Sequence, residues 1–208
     1  MNEDTAQQVG APAVYTVGHS NVSQEAFVAL LKAHDIEVLV DVRSAPYSKF
    51  VPHFNGDALK PAVVRAGIKY LYLGRELGGR PREPRFYDSE GHVRYDRIAE
   101  SPEFHEGIER LLRGIREHRV AIMCNEEDPH ECHRRLLVGR VLTERGVAVL
   151  HIRGDGRVQP EAELAEADRK DAPAEVQQEF AFVAKETPEW KSTRSVSPGR
   201  PPKRSSGR

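Results

Sequence analysis

Apolar positions along this chain fall into two alternating rhythms. Val14-Tyr15-Thr16-Val17, Ile36 to Val42, Ile68 to Leu73, Val120 to Met123 and Val147 to Ile152 are short runs of strand length, rich in β-branched and aromatic residues. Between them apolar residues recur every three or four positions. Phe27, Leu30 and Leu31 follow the candidate N-cap Ser23 and run to about His34. A short helix around Leu59 to Ala66 ends at Gly67, and Pro61 suits its first turn. Ser101-Pro102-Glu103 opens a helix carrying Phe104, Ile108, Leu111, Leu112 and Ile115. Asp128-Pro129-His130-Glu131 reads as a capping box, and Leu136, Leu137, Val138, Val141 and Leu142 carry its helix to Gly146.

The run from Ile36 to Val42 is nearly continuous, as a strand buried on both faces requires. Five strands alternating with four helices predict a single three-layer, Rossmann-like α/β domain. Its sheet is mostly parallel, of about five strands, and a disordered basic C-terminal tail follows. The predicted boundaries are a disordered N-terminus over 1–12, the α/β domain over 13–158, a helical extension over 159–186 and the tail over 187–208. Gly74 to Arg94 is a long connection, rich in glycine and proline at its start, with Arg75, Arg80, Arg82, Arg85 and Arg94; its length and charge predict a functional loop.

Composition narrows the class. Charged residues make up 30% of the 208, and no apolar run approaches the ~18 needed to span a membrane. No secretory pattern opens the chain, and two cysteines make no disulfide framework, so a cytoplasmic protein is expected. The net charge of −1 conceals an asymmetry: Lys191, Arg194, Arg200, Lys203, Arg204 and Arg208 meet no acid after position 190, leaving a body of −7. That body is not a basic duplex-binding surface, whereas the tail is a candidate tether for nucleic acid.

The chemistry concentrates in Cys124-Asn125-Glu126-Glu127-Asp128-Pro129-His130-Glu131-Cys132-His133-Arg134, which holds both cysteines. Other polar blocks also fall just beyond predicted strands: His19-Ser20-Asn21, Asp41-Val42-Arg43, Gly74-Arg75-Glu76 and His151. In a parallel sheet these ends share one edge, where ligands bind. Asp41, ending a buried strand, requires a partner there. Cys124 and Cys132 admit three readings: a zinc site with His133, whose spacing matches no standard finger; a reversible disulfide; or a thiolate at Cys124 in the field of a helix N-terminus and Arg134. A helix starting at Pro129 turns Arg134 toward the sheet and Cys132 away from it, which disfavours the disulfide and makes Arg134 the stronger site residue.

Taken in order, several blocks resemble one family, that catalogued as domain of unknown function 488. They are Tyr15-Thr16-Val17-Gly18-His19-Ser20-Asn21, Val40-Asp41-Val42-Arg43-Ser44-Ala45-Pro46, Pro52-His53-Phe54-Asn55, Leu77-Gly78-Gly79-Arg80, Cys124 with Glu126, Asp128-Pro129, Cys132-His133-Arg134 and His151-Ile152. The resemblance spans about residues 14 to 158 and implies no activity. The strand–cysteine–loop–helix layout is also similar to rhodaneses and cysteine phosphatases. Those enzymes surround the cysteine with small residues, whereas Glu126, Glu127 and Asp128 stand here.

The sequence therefore predicts an enzyme, a hydrolase or group transferase, acting on a small anionic or nucleotide-like substrate. Cys124, His19 and His133 are the candidate catalytic residues. Asp41, Arg43, Arg80, Glu126 and Arg134 are the candidate substrate-binding set, and no metal ligand or cofactor is assigned. The alternatives are a nucleic-acid-associated module and a metal-binding scaffold.

Overall fold

The computed structural model describes residues 12–171 and 189–198. A six-stranded sheet runs in the order β3-β2-β5-β1-β6-β7. Its strands are β1 (Ala13–Gly18), β2 (Val38–Asp41), β3 (Lys69–Tyr72), β5 (Val120–Cys124), β6 (Ala148–Ile152) and β7 (Val158–Pro160). All neighbours are parallel except β6 and β7, which form an antiparallel edge hairpin. β7 is a sixth strand beyond the five expected.

The chain steps outward from β1 to β2 and β3, then returns to insert β5 between β1 and β2. Gly18 thereby pairs with Cys124, and Asp41 with Met123. Chemistry read from three separate segments is thus juxtaposed at one carboxyl edge.

Alternation along the central strands divides the core in two. Val120 and Ile122 face a cluster with Phe104, Ile108, Leu111 and Leu137, whereas Ala121 and Met123 face one with Phe27, Leu31, Leu59 and Val63. Helices α1 (Gln24–Ala33) and α2 (Gly56–Arg65) cover the second face. α4 (Pro102–Glu117) and α5 (Arg140–Glu144) cover the first. Ser23 and Ser101 cap α1 and α4 as expected, their hydroxyls accepting from Ala26 N and Phe104 N. α2 starts earlier than predicted, at Gly56, and carries Pro61 in its interior.

Three regions depart from the sequence reading. Asp128 caps only a single 3₁₀ turn, Pro129–Glu131; helical structure resumes as a π-helix over Arg134–Gly139 that leads into α5. The long connection contains β4 (His92–Arg94), followed by the short α3 (Tyr95–Ala99). β4 pairs antiparallel with β8 (Lys191–Ser195), within the segment expected to be a disordered tail. The stretch is too polar to read as a strand, but β4 offers it a free edge. Of the helical extension expected over 159–186, α6 (Glu161–Asp171) is present and residues 159–160 belong to β7; residues 172–186, and the tail beyond 198, lie outside the described residues. No helix among the described residues is long and apolar enough to cross a membrane.

Candidate functional site

β5 delivers Cys124 to the sheet's carboxyl edge, and the 3₁₀ turn brings the chain back so that Cys132 and His133 face it. One donor atom from each of the three lies within 4.8 Å of the others. Both cysteines are free and buried. Both thiols point at Glu126: Cys124 Sγ donates to Oε2 at 3.1 Å and Cys132 Sγ to the same oxygen at 3.2 Å. The expectation that Cys132 faces away is corrected here. The straight helix from Pro129 on which it rested does not form, and the turn rotates Cys132 inward.

His133 is held by its far nitrogen. Nε2–H donates to the Val42 carbonyl at 3.0 Å, leaving Nδ1 directed at the sulfurs, 3.6 Å from Cys124 Sγ. Its ring lies against Gly79, where a Cβ would come within 2.5 Å of the imidazole. Gly18 has a similar role beneath the loop: a Cβ there would sit 1.8 Å from the Glu126 carbonyl. Both glycines are required by close backbone approach.

The charges in the cluster are interdependent. The neighbouring Cys132 thiol, burial and Glu126 together push Cys124 well above the usual thiol range. Burial acts to raise Cys132 as well, but hydrogen bonding to Cys124, the Arg134 charge and His133 outweigh it and hold Cys132 well below that range. Burial acts to lower His133, and its contacts with Cys132 and Glu126 overcome this and raise it. A thiol, a readily ionised sulfur and a carboxylate thus crowd one buried spot, an arrangement that favours an added positive charge.

Asp41 and Arg43 flank the cluster. Arg43 Nε donates to Asp41 Oδ1 at 2.9 Å and Nη2 to Oδ2 at 2.6 Å, while Tyr70 OH donates to Oδ2 at 2.6 Å. Asp41 thereby receives the partners that its burial demands. Arg43 Nη1 lies 3.2 Å from His19 Nε2, and His19 Nδ1 lies 2.7 Å from the Ser20 carbonyl. The His19 ring stacks on Phe54 at 4.0 Å. Burial and the Arg43 charge lower its pKa to about 4, so it is neutral at pH 7. Ser20 has φ 46°, in the left-handed region.

A cleft of about 370 Å³ opens over the cluster. Arg43, Arg80, Tyr95, Cys124, Glu126 and His133 line it, with residues of the β8 segment on its outer side. The expected residues therefore divide. Cys124, His133, Glu126, Arg43 and Arg80 are on the cleft. His19 and Asp41 stand behind Arg43. Arg134, expected to hold an anion, is fully buried and off the cleft. Its Nη1 donates to the Glu126 carbonyl, Nη2 to that of Glu127 at 2.5 Å and Nε to Thr16 Oγ1 at 3.2 Å. That guanidinium fastens the loop between the cysteines.

Sequence reasoning weighed Cys132 as a zinc ligand with Cys124 and His133 but left it out of the favoured site; its place beside His133 in a chain with only two cysteines was the available signal. It missed Tyr95, Tyr70 and the β8 segment, whose positions no local pattern announces.

Fold and site together define a three-layer α/β protein with a Cys–Cys–His cluster and an adjacent carboxylate at the sheet's carboxyl edge. The family model described as "Domain of unknown function DUF488" matches residues 23–141, more than half the chain. The protein belongs to that family, as its motifs suggested. No match is found among curated proteins or among solved structures.

Proposed function

We propose that this protein is a metal-dependent enzyme, a hydrolase or group transferase, in which Cys124, Cys132 and His133 hold a zinc-class divalent ion beside a cleft for a small anionic substrate. One observation carries the reading: three buried donors converge within 4.8 Å, and the pair from Cys124 and His133 stands at the separation a tetrahedral ion needs. Zinc bonds of about 2.3 Å to sulfur and 2.0–2.1 Å to nitrogen set those two donors about 3.6 Å apart. Cys124 Sγ and His133 Nδ1 are 3.6 Å apart.

Supporting features agree with it. A ligating histidine commonly donates its other N–H to a backbone carbonyl, as His133 does to Val42. Three protein donors leave a fourth position open, the pattern of catalytic rather than structural zinc. Such an ion acts as a Lewis acid and lowers the pKa of bound water. Glu126, already an acceptor for both thiols, is placed to pass their protons on to solvent as the ion binds and, ionised again, to act as general base. Arg80, exposed on the cleft and paired with no carboxylate among the described residues, is the group to engage the substrate's charge, with Arg43 behind it. Loss of the thiol protons removes Cys124 from consideration as a free nucleophile and makes it a ligand.

Cobalt(II) reconstitution tests this. The wild type is expected to show thiolate-to-cobalt absorption at one ion per chain, and Cys124→Ser, Cys132→Ser and His133→Gln to lose it. Glu126→Gln should keep the absorption while losing turnover of whichever phosphate, sulfate or carboxylic ester the wild type hydrolyses. Cobalt spectra unchanged by the cysteine and histidine substitutions would overturn the assignment.

A further inference from the structure

The cleft's outer wall comes from a segment outside the family-matched residues 23–141. Ser192, Thr193, Arg194, Val196, Ser197 and Pro198 all line it. The base of this segment is firmly anchored. Trp190 Nε1 donates to the Leu136 carbonyl at 2.7 Å, and its ring lies under the Arg140 guanidinium at 4.3 Å. The amides of Tyr95 and Asp96 donate to the Trp190 carbonyl. Ser192, buried, accepts from Val93 N at 2.9 Å through Oγ. Lys191 pairs with Asp88 at 3.1 Å.

Past the anchor, Ser195 pairs with His92, the Val196 amide donates to the Gly91 carbonyl at 2.9 Å, and Val196 packs on the core. Arg194 pairs with Glu131, the residue before Cys132, through two exposed side chains. Both residues line the cleft, and so weak a pair leaves the guanidinium able to turn to an incoming anion. Arg194 adds a guanidinium to a wall already holding Arg80, while Thr193 and Ser197 add hydroxyl groups.

We propose that residues 190–198 are an integral strap of the site and that Arg194 is a substrate-selecting residue, favouring small anions at the cleft over neutral molecules of the same size. The strap lies outside the family-matched residues, and the selectivity it sets does not depend on which chemistry the cleft performs. It relies on the cleft being the site but not on the metal.

Cys124 lines the cleft and can report on entry. Metal-free, reduced full-length protein would be alkylated with iodoacetate and with iodoacetamide, and the Cys124 rates read by peptide mass spectrometry. The ratio of the two rates cancels the thiolate fraction and isolates the charge preference of the approach. Charged clefts change encounter rates by about tenfold or more, so Arg194→Glu is expected to lower the iodoacetate-to-iodoacetamide ratio about tenfold, and Arg194→Ala by less. Both changes are at an exposed side chain and should leave the fold intact, as circular dichroism would verify. Lys60→Glu, on the exposed side of α2 and off the cleft wall, serves as the control for nonspecific charge. A ratio unmoved by Arg194→Glu, or moved equally by Lys60→Glu, would overturn the proposal. Failure of cobalt to bind would leave this result intact, since the assay uses no metal.

Discussion

Two buried polar networks sit on the same sheet edge, and they differ in whether their charges are satisfied. Around β6, Arg134 Nε donates to Thr16 Oγ1, Thr16 lies 2.8 Å from His151 Nδ1, and His151 Nε2 lies 2.8 Å from Glu161 Oε2. Arg135 completes the chain, pairing with Glu161 at 2.9 Å and with Asp168 at 2.6 Å. Each donor there meets an acceptor, and none of His151, Glu161 and Arg135 lines the cleft. Around β5, by contrast, two thiols share one carboxylate oxygen beneath an open cleft. A closed, balanced network fixes structure; a crowded, acid-rich one facing solvent is equipped to bind. The two are joined through Arg134, which connects Thr16 to the loop carrying Glu126.

The largest expected contrast is in metal affinity. Cys132→Ser should weaken zinc binding by more than the roughly 10–100-fold that loss of an outer-shell partner costs. Glu161→Gln, in the closed network, should leave it within that outer-shell range. Competition with a chromophoric chelator measures both, and equal losses would dissolve the distinction between the networks.

Stability should show the reverse order. Removing one partner of a buried ion pair costs about 3–5 kcal/mol; solvent contact at Glu161 reduces this to about 2–3 kcal/mol for Arg135→Met. Cys132→Ser in metal-free protein should cost less than about 1.5 kcal/mol, because the serine hydroxyl keeps Glu126 Oε2 as its acceptor. Urea unfolding of metal-free proteins decides the order.

The closed network also predicts a pH dependence. Burial, outweighing Glu161, holds His151 below its ordinary 6.5, so the unfolded chain takes up a proton that the folded chain refuses. Its contribution to stability is complete above pH 6.5 and is lost as pH falls from there toward the lowered folded value. Wild-type stability should decline over that window, and His151→Gln should flatten the decline. A steeper fall in the variant would contradict the neutral assignment.

The smallest effect belongs to Arg80→Ala. Being exposed and unpaired with any described carboxylate, it should change stability by under ~0.5 kcal/mol and leave zinc affinity unchanged. A larger stability loss would mean the cleft arginine is structural.

Much of this was legible along the chain because it rests on periodicity. The near-continuous run at Ile36 to Val42 announced a strand buried on both faces, and Ser23 and Ser101 announced their helices. Convergence of Cys124, Arg43 and Asp41 followed from the parallel-sheet rule alone. What failed depended on geometry that residue types do not encode. A capping box at Asp128 does not reveal that the helix is interrupted after one turn, and that interruption turns Cys132 inward. Arg134 does lie on the sheet side, but not through the helix phase that predicted it, since that helix does not form; its donors go to Thr16 and to backbone carbonyls of a loop whose path was not readable. β8 was missed because Lys191-Ser192-Thr193-Arg194-Ser195 lacks apolar alternation and pairs with a strand almost a hundred residues earlier.

The central claim is that the Cys124–Cys132–His133 cluster holds a metal ion, and native mass spectrometry of freshly purified full-length protein tests it most directly. The account predicts one zinc-class ion per chain in the wild type, released on denaturation, and none in Cys132→Ser. A wild type that stays metal-free after incubation with excess zinc, with two freely titratable thiols, would contradict it.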